Sequence, residues 1–293
     1  MRVSTVNVNG IRAAHRRGFG AWLAITNPDV IALQEVRCPV EALPEGAWGG
    51  YHAAYDPGTR AGRNGVAVLT RVPPLAVRTL APGGHEAPVA RELREFADEG
   101  RYVEVDLADA PVTVASLYVP KGGLPAHLQI PGRMREAPDG GAAYERKERF
   151  ARGLVRQLGR SRRMALARGR EFVVMGDFNV AHRESDVATW RRARNAVGFL
   201  PNERAWLDSL IGGRSFVDVV RRLHPEGAGP YTWWSWLGRS YAEDSGWRID
   251  LHVATPRLAR SAVAAWVDRE VDGMRISDHA PVTVDYALGG DAP

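Results

Sequence analysis

The stretch that decides the fold is EFVVMGDFN, residues 171–179, an apolar run that stops at two polar residues. Four consecutive apolar residues predict a strand that is buried on both faces. Gly176 lets the chain turn, and Asp177 and Asn179 then follow the carboxyl end of the strand, where open α/β sheets place their ligands. The stretch therefore predicts an α/β fold and the position of a functional site.

The same arrangement occurs twice near the N-terminus. A strand pattern over residues 2–8 carries Asn7, with Asn9 just beyond it on the same side by the period-two rule. A second pattern over 30–35 ends at Glu35. Because strand ends of this kind meet at one edge of a sheet, we expect these side chains to converge.

Two further polar groups lie near the C-terminus. Asp250 interrupts the apolar pattern RIDL, and Asp278 and His279 stand immediately before another strand pattern. Five strand-associated polar clusters in one chain predict a single convergent site.

The order of elements predicts two packed mixed β-sheets with helices on the outside. We expect one domain over residues 1–288 and a flexible tail at 289–293, since folds of this size often form one unit. The Gly- and Pro-rich segment 121–143 is read as a surface loop. Strands are expected near 2–8, 30–35, 51–55, 64–71, 75–80, 101–106, 112–118, 171–176, 247–254, 262–268 and 281–286, and helices near 18–26, 144–168, 188–195 and 203–212.

Composition narrows the class of partner and compartment. A net charge of +5 favours a polyanion such as nucleic acid, although the preference for arginine over lysine is equally typical of a GC-rich genome. No apolar run is long enough for a transmembrane helix, so no membrane partner is expected. The single cysteine, Cys38, and the absence of an N-terminal signal pattern favour the cytoplasm.

Glu35 ends a buried strand, where an isolated carboxylate is costly unless it is paired or bound to a cation. Mg²⁺ suits such a position because it prefers oxygen ligands and uses few carboxylates. The alternative is a salt bridge to Arg37, and the sequence alone leaves the two open.

Asp177 and Asn179 form a reasonable hydrolytic pair, with an acid that accepts a proton beside an amide that orients water or phosphate. Asp250 needs a partner inside its strand, and His279 is the natural candidate, because a carboxylate on one ring nitrogen supports an imidazolium. Tyr118 ends another strand and has a phenol that can donate to phosphate, although a buried tyrosine bonded to backbone is the ordinary outcome.

Aromatic and basic segments complete the candidates. The loop YTWWSW, residues 231–236, carries three tryptophans, of which some are expected to be core and at least one to face substrate. Arginines recur on one face of the helix predicted at 144–168, and either DNA binding or ordinary solvation explains them.

Taken together, these residues resemble the exonuclease III family of abasic-site endonucleases, within the endonuclease/exonuclease/phosphatase superfamily. The resemblance spans nearly the whole chain. The matching segments, in chain order, are NVNGIR (7–12), LQE (33–35), YVP (118–120), GDFNVAH (176–182), GFLP (198–201) with ER (203–204), WRID (247–250) and SDHAP (277–281).

The resemblance implies a four-layer α/β sandwich of the DNase I type that cuts duplex DNA 5′ to abasic sites and leaves a 3′-hydroxyl. It also implies 3′–5′ exonuclease and 3′-end-cleaning activity, action as a monomer, and Mg²⁺ with Mn²⁺ as a substitute. The implied catalytic residues are Tyr118, Asp177, Asn179, Asp250 and His279; the implied metal residues are Glu35, Asn7, Asp278 and Asn9; the implied DNA and abasic-pocket residues are Trp233, Trp247, Ile249, Arg37, Lys121 and His182.

The chain departs from the familiar pattern at three places. Arg37 stands where a lysine often follows the metal glutamate, KGG (121–123) replaces the usual Asn or Ser after the Tyr-x-Pro step, and the loop 121–143 is longer than usual. These changes bear on DNA contacts and on the balance of endonuclease to 3′-exonuclease action. The competing hypotheses are a phosphoesterase for another phosphodiester or phosphomonoester, and a non-catalytic DNA-binding module.

Overall fold

The computed structural model describes residues 1–132, 134, 137–212 and 215–288, so the predicted tail at 289–293 lies outside the described residues. The strands are β1 (Arg2–Asn7), β2 (Val30–Gln34), β3 (His52–Asp56), β4 (Val66–Thr70), β5 (Ala76–Thr79), β6 (Tyr102–Asp106), β7 (Val112–Tyr118), β8 (Glu171–Asp177), β9 (Val217–Asp218), β10 (Asp250–Ala254), β11 (Ala262–Val267) and β12 (Val282–Tyr286). The helices are α1 (Ile11–Arg16), α2 (Phe19–Thr26), α3 (Ala142–Ala167), α4 (Trp190–Ala193), α5 (Pro201–Ile211), α6 (Val219–Leu223) and α7 (Pro256–Arg260).

The strands form two six-stranded mixed sheets, in the orders β11-β12-β1-β2-β4-β3 and β5-β6-β7-β8-β10-β9. Each sheet has a parallel pair at its centre, β1 with β2 and β7 with β8, and the other pairings are antiparallel. The carboxyl ends of a parallel pair lie at one edge, so both sheets carry the polar strand ends noted in the sequence.

The central strands are buried on both faces because each packs against two layers. In β8, Val173 and Met175 face the other sheet, while Phe172 and Val174 face α3 and α5. The first sheet is covered on its outer face by α1 and α2. The prediction of a four-layer sandwich with helices outside is therefore confirmed.

The basic face of α3 largely contacts the protein itself. Four of its arginines reach the segment that precedes β6, which covers the same outer surface. Arg146 pairs with Glu99, Arg149 with Glu95 at 2.8 Å, Arg156 with Glu92, and Arg160 donates to the carbonyl of Pro88 at 2.5 Å. These four arginines therefore bond within the protein, which neither DNA binding nor ordinary solvation had predicted.

Two predicted elements are shorter than expected because their ends pair elsewhere. The helix predicted at 188–195 is only α4, since the backbone before it bonds to the segment around Trp247. The strand predicted at 247–254 begins at Asp250, because Trp247 pairs with Trp233 instead of β8. Among the described residues, no helix is both long and apolar enough to cross a membrane.

Candidate active site

The candidate active site begins as a row of side chains across the second sheet. Asp177 at the end of β8 pairs with Tyr118 on β7 and with Asp250 on β10. Side chains in one row of a sheet project from the same face. The register therefore places a phenol and two carboxylates together without any loop rearrangement.

The backbone is strained where the polar side chains leave the strands. Asn9, Glu35, Arg37 and Asn179 all have φ between 44° and 52°, which accounts for half of the eight non-glycine residues with positive φ in the described ranges. This conformation is uncommon, particularly for long side chains such as glutamate and arginine. Its concentration at one place is typical of a functional site.

Gly176 is required by close strand packing. Its φ is 140°, and a Cβ atom there would lie 2.1 Å from the carbonyl oxygen of Leu117 and 2.9 Å from the side-chain nitrogen of Gln34. Any side chain at this position would displace β8 from β7, and with it the carboxylate of Asp177.

Asn7 joins the two sheets at the site. Its side-chain nitrogen donates to Glu35 Oε1 at 2.8 Å and to Asp177 Oδ2 at 2.9 Å. All three side chains are buried. The amide thus bridges the carboxylate of the first sheet to that of the second.

Asn179 reaches Asp177 by a turn and not, as the sequence suggested, by an extended segment. Its backbone N–H donates to Asp177 Oδ1 at 2.8 Å, and its side chain donates to Asp177 Oδ2 at 3.2 Å and to the carbonyl of Val119 at 2.8 Å. Asn tolerates the left-handed backbone that this turn needs. Asp177 and Asn179 are therefore close together as predicted, because the turn brings them together.

His279 and Asp250 form the predicted pair, with His279 Nδ1 at 2.9 Å from Asp250 Oδ2. Burial alone would lower the pKa of His279, but the interaction with Asp250 outweighs it and raises that pKa to about 10. The hydroxyl of Thr232 also donates to Asp250 Oδ2, at 2.6 Å. Thr232 was not predicted, because nothing in the sequence pattern links this loop residue to β10.

Asp177 lies 3.9 Å from His279 Nε2 and is almost inaccessible to solvent. Burial raises the pKa of Asp177 to about 7, helped by Asp250 and Glu35 and opposed by His279. A carboxylate with a pKa near neutrality can both accept and return a proton at physiological pH.

Tyr118 is held between acidic and basic groups. Burial raises its pKa far above the ordinary value, and Glu35, Asp177 and a hydrogen bond to Glu35 add to the rise. The guanidinium of Arg101 lies 5.1 Å above the phenol ring. The phenol therefore stays protonated and can act as a donor.

Glu35 forms the ion pair with Arg37 that the sequence left open as an alternative to metal binding. The guanidinium contacts Glu35 Oε2, a buried atom that has no hydrogen-bond partner apart from this ion pair. Arg37 is about two-fifths exposed, so this pair does not enclose the carboxylate. A buried oxygen that is paired with a partly exposed guanidinium is compatible with a cation ligand.

Two donor sets at this site could hold a metal ion. The ligand atoms of Asp177, Asp250 and His279 lie within 4.8 Å of one another, but an imidazole with a pKa near 10 carries a proton and is a poor ligand. The set around Glu35 and Asn7 offers oxygen atoms, which Mg²⁺ prefers. The residues present therefore fit a hard divalent cation on the Glu35 side.

The other two predicted metal residues lie together next to that set. Asn9 donates to Asp278 Oδ1 at 2.7 Å, and Trp233 donates to Asp278 Oδ2 at 3.1 Å. Burial would raise the pKa of Asp278, but His279 and these two donors hold it below its ordinary value. Asp278 and His279 diverge as expected, one toward Asn9 and the other toward Asp250.

An aromatic cluster lies beside His279. The ring centroid of Trp233 is 6.4 Å from those of both Trp247 and His279, and Ile249 packs in the same cluster. Trp234 is core and Trp236 is 46% exposed, as expected of a mixed set. The structure thus brings the three predicted pocket residues together.

The remaining DNA candidates occupy different positions. Lys121 and Arg37 are on the surface near the strand ends. His182 lies against Asp208 on α5, with 2.7 Å between His182 Nε2 and Asp208 Oδ1. A buried pair that the sequence did not identify, Lys147 and Glu203, lies behind the site.

Comparison with known proteins extends over the whole chain. A curated relative, "DNA repair nuclease APEX1" of Danio rerio, is 28% identical over 98% of this chain and 83% of its own length. "Recombination repair protein 1" of Drosophila melanogaster is 27% identical over 98% of this chain, which spans only 37% of that protein.

Solved structures show the same fold. An AP endonuclease from Archaeoglobus fulgidus and a 3′-5′ exonuclease from Neisseria meningitidis each match with a TM-score of 0.78 and 26% identity, covering 98% of this chain and all of theirs. The model of the endonuclease/exonuclease/phosphatase family matches residues 4–279. The strand-end site and the two-sheet fold are consistent with this family match. The chain therefore belongs to the endonuclease/exonuclease/phosphatase family.

Proposed function

We propose that the chain is a divalent-metal-dependent DNA-repair phosphodiesterase that cuts duplex DNA 5′ to abasic sites. The observation that carries the proposal is the buried group of Asp177, Asp250 and His279, which Asn7 joins to Glu35. The relatives named as a DNA repair nuclease and an AP endonuclease support abasic DNA as the substrate.

In this proposal Asp177 positions and deprotonates the water that attacks phosphorus, and the bond from phosphorus to the upstream 3′ oxygen breaks. The 3′ oxygen takes up a proton from solvent water and leaves as a hydroxyl, and the phosphate stays on the abasic sugar. His279, protonated and held by Asp250, stabilises the negative charge of the transition state. Asn179 and Tyr118 donate to the phosphate.

The proposed cofactor is Mg²⁺, with Mn²⁺ as a substitute. Glu35 would be the principal ligand, with Asn7, Asn9 and Asp278 in or next to the coordination shell. When bound, the cation would neutralise phosphate charge as the transition state forms.

The pocket of Trp233, Trp247 and Ile249 would accept a sugar that lacks a base. An intact nucleotide would overfill it, so its walls would set selectivity while the acids and the cation set chemistry. Its place beside His279 is what supports this assignment.

The proposed partner is duplex DNA bound by one copy of the chain in the cytoplasm. Arg37 and Lys121 would contact phosphates, whereas His182 would have to release Asp208 to do so. The net charge of +5 is compatible with this partner, and the four α3 arginines that bond within the protein are not needed for it.

A second candidate activity is 3′–5′ exonuclease and 3′-end cleaning. The chain is as similar to a solved exonuclease as to a solved AP endonuclease, with equal TM-scores and identities. The same hydrolytic groups would serve both, and the balance would depend on how the DNA end sits in the pocket.

The experiment compares purified wild type and Asp177→Asn on five substrates: abasic duplex, intact duplex with a recessed 3′ end, RNA, an inositol phosphate and a phosphorylated lipid headgroup. The proposal expects hydrolysis of the abasic duplex to exceed all others and to fall about a hundredfold in the variant, as loss of a general base does. Preference for a non-DNA substrate would move the function to another phosphoesterase. DNA binding without hydrolysis would favour the non-catalytic module.

A further inference from the structure

The buried Lys147 lies directly behind the catalytic turn. It is one of only two lysines in the chain and projects from α3 toward the ends of β7 and β8. Its ammonium donates to the carbonyl of Asn179 at 2.8 Å, to the carbonyl of Lys121 at 3.1 Å and to Glu203 Oε1 at 2.6 Å. All three donor hydrogens of the ammonium are thus directed at fixed acceptors.

Glu203 keeps this ammonium in place. It is 2% exposed, and its second oxygen accepts the backbone N–H groups of Gly198 at 2.7 Å and Leu200 at 3.0 Å. Burial lowers the pKa of Lys147, and Glu203 opposes that effect. The pair therefore links α3, the start of α5 and both strand ends through charge-assisted hydrogen bonds.

Of the three acceptors of the Lys147 ammonium, the carbonyl of Asn179 bears directly on the catalytic turn. Asn179 has the left-handed φ of 51°, so its carbonyl is directed away from the ladder and needs a partner outside it. Its side chain and N–H both contact Asp177. A donor that fixes the Asn179 carbonyl therefore also fixes the orientation of the amide toward Asp177.

We propose that Lys147, paired with Glu203, is a positioning residue that holds the Asp177–Asn179 turn in its reactive orientation. The inference rests on the proposed hydrolytic role of that turn. It also gives a reason for Glu203 of the ER pair at 203–204, which the sequence marked only as a family signature.

The test separates positioning from stability by comparing Lys147→Met with the double variant Lys147→Met/Glu203→Gln. The single variant leaves a buried, unpaired carboxylate and should lose much of its thermal stability. The double variant removes both charges and should regain most of the wild-type Tm. Its kcat on abasic duplex should nevertheless stay at least tenfold low with KM within about twofold, because small misplacements of catalytic groups are costly.

Lys147→Arg should recover part of kcat, because a guanidinium can still donate to these acceptors. Arg152→Met, an exposed change on the same helix, is the matched control and should behave as wild type. A double variant that regains both Tm and kcat would overturn the proposal.

Side-chain NMR of Asn179 gives a readout that does not need activity. Its amide should be protected from exchange in the wild type and unprotected in the double variant; equal protection would overturn the proposal. Failure of wild type to cut abasic duplex would contradict the proposed substrate and leave this NMR comparison valid.

Discussion

Replacing Asp250 with asparagine should make hydrolysis depend on pH in a way that the wild type does not. Asp250 is the main partner that raises the pKa of His279 from 6.5 to about 10. That rise corresponds to roughly 5 kcal/mol of stabilisation of the imidazolium, to which Asp177 and Asp278 contribute more weakly. Without the carboxylate of Asp250, only the weaker effects of Asp177 and Asp278 oppose burial, and the pKa of His279 should fall to about 6.5 or lower.

The protonated fraction gives the expected size of the effect. At pH 8 a group with a pKa of about 10 is ~99% protonated, and one with a pKa of about 6.5 is ~3% protonated, a difference of roughly thirtyfold. Turnover of Asp250→Asn at pH 8 should therefore be at least thirtyfold below wild type. The ratio of variant turnover to wild-type turnover should rise toward one as the pH falls to 6.

The assay is single-turnover cleavage from pH 6 to 9, with NMR titration of the His279 ring in both proteins. Asp285→Asn, which removes a carboxylate from a surface pair with Arg2, is the control and should leave the profile unchanged. The raised pKa of His279 also makes the stability of the fold depend on pH. Its contribution to stability is fully present below pH 6.5 and is lost as the pH rises through about 10. A variant-to-wild-type ratio that is constant with pH would refute the role given to His279.

Three further predictions concern the pocket, the strand packing and the core. Replacing Trp233 or Trp247 with alanine should reduce the preference for abasic over intact duplex more than it reduces hydrolysis itself, measured as the ratio of kcat/KM values; an unchanged ratio would remove these residues from the pocket. Gly176→Ala should lower the free energy of unfolding by about 3 kcal/mol or more, because its Cβ would meet a backbone carbonyl at 2.1 Å. Gly159→Ala in α3, whose Cβ would meet only the end of the Arg163 side chain at 3.5 Å, should raise this free energy by up to about 1 kcal/mol; urea unfolding of both variants checks this, and similar values would contradict the clash. Burial lowers the pKa of His252 to about 4, so its neutral form stabilises the fold above pH 6.5, and about 3 kcal/mol should be lost as pH falls to 4; His252→Gln should abolish that part of the acid sensitivity, and equal acid sensitivity of the two proteins would refute it.

Much of the site was predictable because it depends on strand ends. Apolar runs that stop at Asp177, Glu35 and Asn7 predict buried central strands, and the carboxyl ends of such strands must share an edge. The pairing of Asp250 with His279 followed from the cost of an unpaired carboxylate inside β10.

The contacts that were not predictable depend on elements distant in sequence. Nothing in the periodicity of α3 indicates that Arg149 would meet Glu95, or that Lys147 would meet Glu203 across 56 residues. Short elements such as β9 and α6 have too few residues to show a period. Thr232 was missed for a similar reason, since a loop hydroxyl gains its role only from the strand it meets.

The measurement that tests the central claim most directly is the position and chemistry of the cut. A 5′-labelled duplex with one abasic site is incubated with the protein and Mg²⁺, with Mn²⁺, and with a chelator, and the labelled product is sized and its 3′ end identified. We expect one product, ending in a 3′-hydroxyl immediately 5′ to the abasic site, which forms with either metal and is abolished by the chelator. A cut 3′ to the site, a 3′-phosphate end, or full cleavage in chelator would contradict it.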